Sequence, residues 1–506
     1  GPVRPRTAYE DLQMFSQVLN HIRVNHPDTV DTHDLFMAAV EGMVRAADPH
    51  SYVLRAARLS PERQRDLEEG RLHPVPIEFS YFGGSPVVAS VVPGSAASRQ
   101  DILPGDLLVA IEGEPVRAES PFELAMTLAG PRGSRVRLTF ERERLDGSLA
   151  ELVREVRRER ESEGATPVPA AFYLAPEVGY IRITTFAHPD AAEALHAALE
   201  ELERGAMRRL VLDLRDNGGG RVDEAQRVVS EFLPEGAMVY SSEGRKPEVN
   251  QEVKVRRSFW HRQRTYPIVL LVNAGTASAS ELVAGALQDH DRALVVGRPT
   301  FGKSLLMQGF PLSDGSVIVL VIGHVKTPCG RVVQRQYRGV STRDYYRLAR
   351  AARDTVGRPS CRTAAGRTVF GGGGIYPDVV LPEPEPAPLW LARLREDDVP
   401  TRWIAAYLTA NPGALTTLEA LAAAPALSAA ALAEFRVFAA RAGHALPAGA
   451  EVDERLRRML LPELAGVKWG PGGYYRLAAV LDPQVQAAAA EFARAGAILT
   501  LPPPSP

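Results

Sequence analysis

Apolar residues recur at helical spacing near the start of the chain, at Leu12, Phe15, Val18, Leu19 and Ile22 and again at Leu35, Ala39, Met43 and Val44. This predicts two helices within residues 8–48. Asp31-Thr32 suits the start of the second, where a short polar side chain can accept from unpaired helix N–H groups. A charged stretch at 59–70 reads as another short helix. From 71 to 158 the pattern changes to short β-rich runs, Pro76–Tyr81, Val87–Val92, Leu107–Ile111 and Arg135–Glu141, parted by Gly/Pro turn signals at 82–85, 93–95, 104–106 and 130–133. One helix fits at 121–129. A small β-barrel with a helix is expected, followed by a charged run at 151–163 that reads as a spacer or a solvated strand.

Between 170 and 385 the strands lose their alternation. Leu210-Val211-Leu212 and Ile268–Val272 are continuously apolar, as strands buried on both faces must be. Strands are predicted at Val178–Thr184, Arg209–Leu214, Ile268–Asn273, Ala293–Gly297 and Ser316–Gly323. Helices are predicted at Ala191–Glu203, Glu224–Phe232 and Ser280–His290. Strands alternating with helices argue for an α/β sheet covered on both sides. Glu383–Pro388 reads as a linker, and the Ala- and Leu-rich stretch 389–498 as a helical domain. The Pro-rich end, Pro502–Pro506, is expected to be disordered.

With 506 residues the chain needs several cores. Hydrophobic residues make up 45% and charged residues 24%, and the net charge is −2. That balance excludes nucleic acid and anionic membrane surfaces as primary partners. No run of about 18 apolar residues is present, so no membrane-spanning helix is expected. The chain opens Gly1-Pro2 without a Met or a signal segment, which reads as a cleavage scar. Cys329 and Cys361 leave two alternatives, a pair of unbridged thiols or one disulfide closing the intervening segment in an oxidising compartment.

The chemistry concentrates in three loops. In Val272–Glu281 a hydrophobic strand gives way to small residues and then a helix, so Ser278 sits at a helix N-terminus. Unpaired N–H groups and the positive end of the helix dipole suit a developing oxyanion there. The alternative is that Ser278 or Ser280 only caps the helix, with Glu281 in its first turn. In Gly297–Ser304 a glycine-flanked turn carries Lys303 after the next strand. A lysine acting as base must be neutral. With a reference pKa of about 10.4, burial must lower it by roughly three pH units, worth about 4 kcal/mol. Phe301, Leu305 and Leu306 suit such a dry pocket. The same residues also match GxxxxGK[ST], but a phosphate-binding loop must lead into a helix, whereas Ser304–Leu312 reads as a strand and turn. The third loop, Leu212–Gly220, ends a buried strand in three glycines, which let a backbone N–H approach a ligand. There is no GxSxG elbow, HExxH or Cys/His metal spacing. No cofactor or metal is called for.

At these residues the sequence resembles the carboxyl-terminal processing peptidases, or tail-specific proteases. The matching motifs are Asp48–Ser51, Gly179–Arg182, Leu212–Gly220, Gly275–Glu281, Gly285–Asp289, Pro299–Lys303, Leu312–Ser316, Thr327–Arg331 and Gly371–Asp378. The resemblance covers about residues 8–382 and implies a multidomain α/β protein with N-terminal helices (1–70), an inserted PDZ-like β-barrel (71–158) and a ClpP/crotonase-like Ser/Lys peptidase core (165–385), to which the Ala-rich composition adds a C-terminal helical domain (386–506). It implies Ser278 as nucleophile, Lys303 as base 25 residues later, and an oxyanion hole from the N–H groups of Gly219 and Ala279. It also implies protein or peptide substrates, cleavage near C-termini, a PDZ domain that binds or gates, and a periplasmic or otherwise exported location. A homo-oligomer built through the helical N- or C-terminal regions is a further expectation.

Two departures stand out. The family usually has a lysine-orienting glutamine four residues after the lysine. Here that position is Met307, and Gln308 follows; a one-residue slip in a strand reverses its facing. The stretch 70–79 also lacks the Gly-apolar-Gly-apolar loop of a carboxylate binder, and its prolines remove donors for an added strand. Met307 motivates a second reading, a catalytically weak or inactive peptide-binding scaffold on the same fold.

Overall fold

A computed structural model describes residues 7–500, apart from 56–61, 63–64, 67–68, 70, 83–84, 92–94, 96, 98–99, 104, 119–120, 144–147, 160–165, 257–263, 338, 341–343, 346–354, 384, 386, 398 and 416. Most of the helix expected at 59–70, parts of the turns at 82–85, 93–95 and 104–106, the end of the charged run 151–163 and the Pro-rich end lie outside the described residues. Among the described residues no helix is long and apolar enough to cross a membrane.

The apolar runs form a six-stranded sheet in the order Val379–Val380, Leu294–Gly297, Ile268–Val272, Arg209–Asp213, Val178–Arg182 and Ala170–Ala175. All neighbours are parallel except the last pair. Alternate residues face opposite sides. Leu210, Leu212, Ile268, Leu270 and Val272 pack against the helices Ala191–Arg204, Val222–Ser230 and Ala279–Asp289 through Leu195, Leu199, Val228, Val229, Val283 and Leu287. Val211, Val269, Leu271, Leu294 and Val296 face the other way. They are covered from the far end of the chain, by Val485, Ala488, Phe492, Ala495 and Ile498 of the helices Pro483–Ala489 and Phe492–Thr500.

A second sheet runs Tyr52–Leu54, Val317–Lys326, Met238–Gly244 and Gln251–Lys254, with Leu305–Pro311 also pairing with Val317–Lys326. The helix Thr32–Ala47 packs on it through Met37, Val40 and Val44. As expected, Asp31 caps that helix, accepting from His33 N–H at 2.7 Å.

Residues 75–156 build an antiparallel sheet around their own core, with Phe140, Leu138, Val88 and Val156 at its centre and the helix Pro121–Leu128 against it through Leu124 and Leu128. The charged run holds the strand Leu149–Arg157. Its buried and exposed positions alternate along its whole length, so Glu151, Glu155 and Arg157 face outward while Ala150, Leu152 and Val156 enter the core, with Arg154 buried on the same face. The helices between 389 and 481 have a further core around Trp403, Phe435, Leu460 and Leu464.

Candidate active site

The register pairs Leu271 with Asp213 and Val272 with Gly297. The loops that follow these parallel strands therefore emerge side by side at the carboxyl edge of the sheet, the usual place for chemistry in such folds. They are the three loops singled out in the sequence.

Ser278 ends the middle loop with φ 55° and ψ −119°. A non-glycine residue in this region is strained and persists only where its surroundings fix it. The sequence Ala274–Ala277 offers no bulk to oppose the turn, and Ser278 N–H donates to Glu281 Oε2 at 3.0 Å. The helix Ala279–Asp289 follows at once, so Ala279 is its first residue, fully buried.

Glu281 is the hub. Its carboxylate is fully buried and accepts, besides Ser278 N–H, the Thr300 hydroxyl (2.5 Å), Gly302 N–H (2.7 Å) and Lys303 N–H (2.9 Å). The backbone N–H groups of Ser278 and Lys303 thus converge on one oxygen, Oε2. Burial pushes the Glu281 carboxyl up and the four donors pull it back. Sequence reading saw Glu281 only as a first-turn residue, because nothing local signals a partner 22 residues later. Gly302, at φ 86°, lies so close to Gly373 and Arg335 that a Cβ would clash.

An aromatic roof packs on the loop that carries Lys303, through the flanking Phe301 and Leu305. Tyr337 and Tyr345 pack with Phe301, Leu305 and Val340. Arg335 stacks over the rings of Phe301 and Tyr345 at 4.6 and 4.3 Å, and His50 meets Tyr337 and Tyr345 edge-on. Burial pulls the Lys303 ammonium below its ordinary value, while the Glu78 and Glu281 carboxylates push it back up. Burial and the nearby Lys303 charge lower the His50 imidazole to about 4. The Asp48–Ser51 motif carries this histidine in: Asp48 accepts from His50 N–H and Ser51 N–H, both at 2.8 Å, and Ser51 Oγ accepts from Val321 N–H of the second sheet. The roof segment is closed by a Cys329–Cys361 disulfide, the second of the two cysteine alternatives.

Gly219 packs against the serine turn. A Cβ there would lie 2.9 Å from both Ala279 N and the Ser278 Cβ, so only glycine fits. The two expected oxyanion residues are therefore neighbours. The Gly219 N–H, however, donates to Asn217 Oδ1 at 2.9 Å, and among the described residues no hydrogen bond joins the Ser278 hydroxyl to the Lys303 amine. Met307 and Gln308 lie in the strand after Lys303. The register shifts between Leu306 and Met307, but the extra residue, Ile322, belongs to the partner strand. Gln308 is exposed and is not turned inward by a bulge of its own. A different glutamine serves this loop: buried Gln334 accepts from Ser304 N–H at 2.8 Å. Ser304 leads into the strand Leu305–Pro311, not into the helix a phosphate-binding loop requires.

Residues 177–343 match the profile of Peptidase family S41, and residues 87–142 match that of the PDZ domain. A carboxy-terminal-processing protease of Bartonella bacilliformis is 30% identical over 335 residues, 65% of this chain and 74% of the relative. Carboxyl-terminal-processing peptidase 2, chloroplastic, of Arabidopsis thaliana is 33% identical over 302 residues, and the chain spans 57% of its length. Among solved structures, a photosystem II D1 C-terminal processing protease superposes with a TM-score of 0.51 at 24% identity, over 74% of this chain and 87% of that one.

Proposed function

The chain belongs to peptidase family S41, the carboxyl-terminal processing peptidases, and from that premise we propose that Ser278 and Lys303 are its catalytic dyad. The observation that carries the assignment is the shared Glu281 Oε2, which ties the backbone of both residues to one atom. Ser278 Oγ attacks the scissile carbonyl while neutral Lys303 takes its proton. The oxyanion is held by Ala279 N–H and by Gly219 N–H once it turns from Asn217. Lys303 then protonates the leaving amine, and water hydrolyses the acyl-enzyme. Gln334, rather than Met307 or Gln308, steadies the lysine loop.

The unjoined dyad and the occupied Gly219 N–H favour reading this arrangement as a resting state. The 71–158 unit is then a gate. Its Glu78 pushes the Lys303 ammonium back up against the burial that lowers it, which opposes the neutral form a base needs. The remaining assignments are part of the same reading: a PDZ-type barrel at 71–158, a ClpP/crotonase-like core at 165–385, helical regions at 1–70 and 386–506, protein substrates cut near their C-termini, and self-association through the terminal helices. The Cys329–Cys361 bridge supports an exported, oxidising location. Ser278→Ala and Lys303→Ala are each expected to lower turnover of an unfolded protein such as casein by at least about a thousandfold. Wild-type turnover by either variant sinks the assignment.

A further inference from the structure

The loop that carries Gly219 draws its support from several sides, and Phe186 N–H donates directly to the Gly219 carbonyl at 2.8 Å. Asp216 has φ 61° and Gly219 φ 100°, and among the described residues the loop's backbone pairing is a single parallel bridge between Gly220 and Phe186. On one side it is tied to the serine turn: the Asn217 carbonyl accepts Ala277 N–H and the Ser280 hydroxyl, both at 3.0 Å. On the other side it is held by Arg215, whose guanidinium is almost entirely buried. Arg215 Nη2 and Nε donate to Asp213 at 2.7 and 3.0 Å. Its remaining nitrogen, Nη1, reaches Asp482 Oδ2 at 2.6 Å and Gln484 Oε1 at 3.1 Å, across 267 residues of sequence.

Asp482 is itself fixed. It ends the helix Ala450–Leu481 and caps Pro483–Ala489, accepting Gln484 N–H at 2.8 Å. A second tie runs alongside: Arg182 Nη2 donates to the Arg215 carbonyl at 2.8 Å, and the Arg182 guanidinium lies 5.2 Å from the ring centroid of Tyr475 in the same C-terminal region. A charged, doubly anchored grip on the residue that opens the loop fixes where the loop can sit, and displacement by about 1 Å costs up to about a hundredfold in rate.

We propose that Asp482 and Gln484 are positioning residues that set the Gly219 donor through Arg215, so that the C-terminal helices complete the oxyanion site. This rests on the Ser278/Lys303 assignment above.

The test uses the full-length chain with Asp482→Asn, Asp482→Glu and Gln484→Ala. The steady-state constants on a fluorogenic peptide are compared with inhibition by a peptide aldehyde, whose adduct places an oxyanion in the same hole. Asp482→Asn is expected to lower kcat about tenfold with KM within twofold, to weaken the aldehyde by the same factor, and to leave Tm within about two degrees. Asp482→Glu should recover at least half of the kcat, and Gln484→Ala should show the smaller loss of the same kind. Unchanged kcat and aldehyde affinity in Asp482→Asn overturn the proposal, as does a loss tracked wholly by falling Tm. Ser278→Ala and Lys303→Ala run beside them. If those two abolish turnover and Asp482→Asn does not change it, only this inference fails. If those two retain turnover, the dyad fails, and amide exchange decides the coupling: faster exchange at Gly219 and Ala277 in Asp482→Asn supports it, and unchanged exchange overturns it.

Discussion

Two regions are appended to the same catalytic unit in opposite ways. Residues 75–156 bury their apolar side chains among themselves. The last helices, 483–500, bury theirs against the sheet that carries the site, and Phe492 and Ile498 lie in one cluster with Val269, Leu271 and Val296. A unit with its own core can shift without uncovering anything. A unit that supplies half of another's core cannot leave. The first has the independence that the proposed gate requires, and the second packs on the sheet that carries the Gly219 loop.

The strongest way to break this comparison is truncation. A chain ending at residue 385 uncovers Val211, Val269, Leu271, Leu294 and Val296 together. At about 1.5–3 kcal/mol for each exposed side chain, that rivals the whole stability of a domain. It should be insoluble or lack cooperative unfolding, whereas replacing 74–158 with a flexible linker should leave a cooperative transition; circular dichroism melts compare the two. Point substitution sharpens the same contrast. Phe492→Ala should cost the catalytic unit about 3–5 kcal/mol, and Phe140→Ala should cost a similar amount only within the 75–156 unit. Calorimetry should show the first moving the main transition and the second a separate one.

The smallest expected effect concerns the charge that the 75–156 unit places near Lys303. A lysine base works neutral, so kcat/KM should rise with pH through the lowered Lys303 pKa and level off below the ordinary lysine range. Glu78 raises that pKa, so Glu78→Gln should slide the profile toward lower pH, giving roughly twofold more turnover on its rising limb. A profile unmoved by Glu78→Gln would mean that the 75–156 unit does not act on Lys303 through charge.

Where local pattern governs, the sequence was legible. The strand expected at Leu107–Ile111 forms as expected, and those at Arg209–Leu214 and Ile268–Asn273 end one residue early. Ser278, Lys303, Gly219 and the helix beginning at Ala279 meet at one sheet edge as the order of strands and helices implied. What stayed hidden depends on distance along the chain. Nothing around Asp482 announces a partner at Arg215, and nothing around Glu281 announces Lys303. The strands Met238–Gly244 and Gln251–Lys254 carry Ser, Glu and Gln and lie in the half-exposed second sheet, so no apolar run marks them. The roof on the Lys303 loop draws on His50, Tyr337 and Tyr345, three residues separated by most of the catalytic unit, and the disulfide closing it was one of two open alternatives.

Because Ser278 and Lys303 hang from a single carboxylate oxygen, neither loop can be lengthened, shortened or exchanged on its own. Anyone transplanting this chemistry into another scaffold must carry the acidic residue and both segments as one cassette.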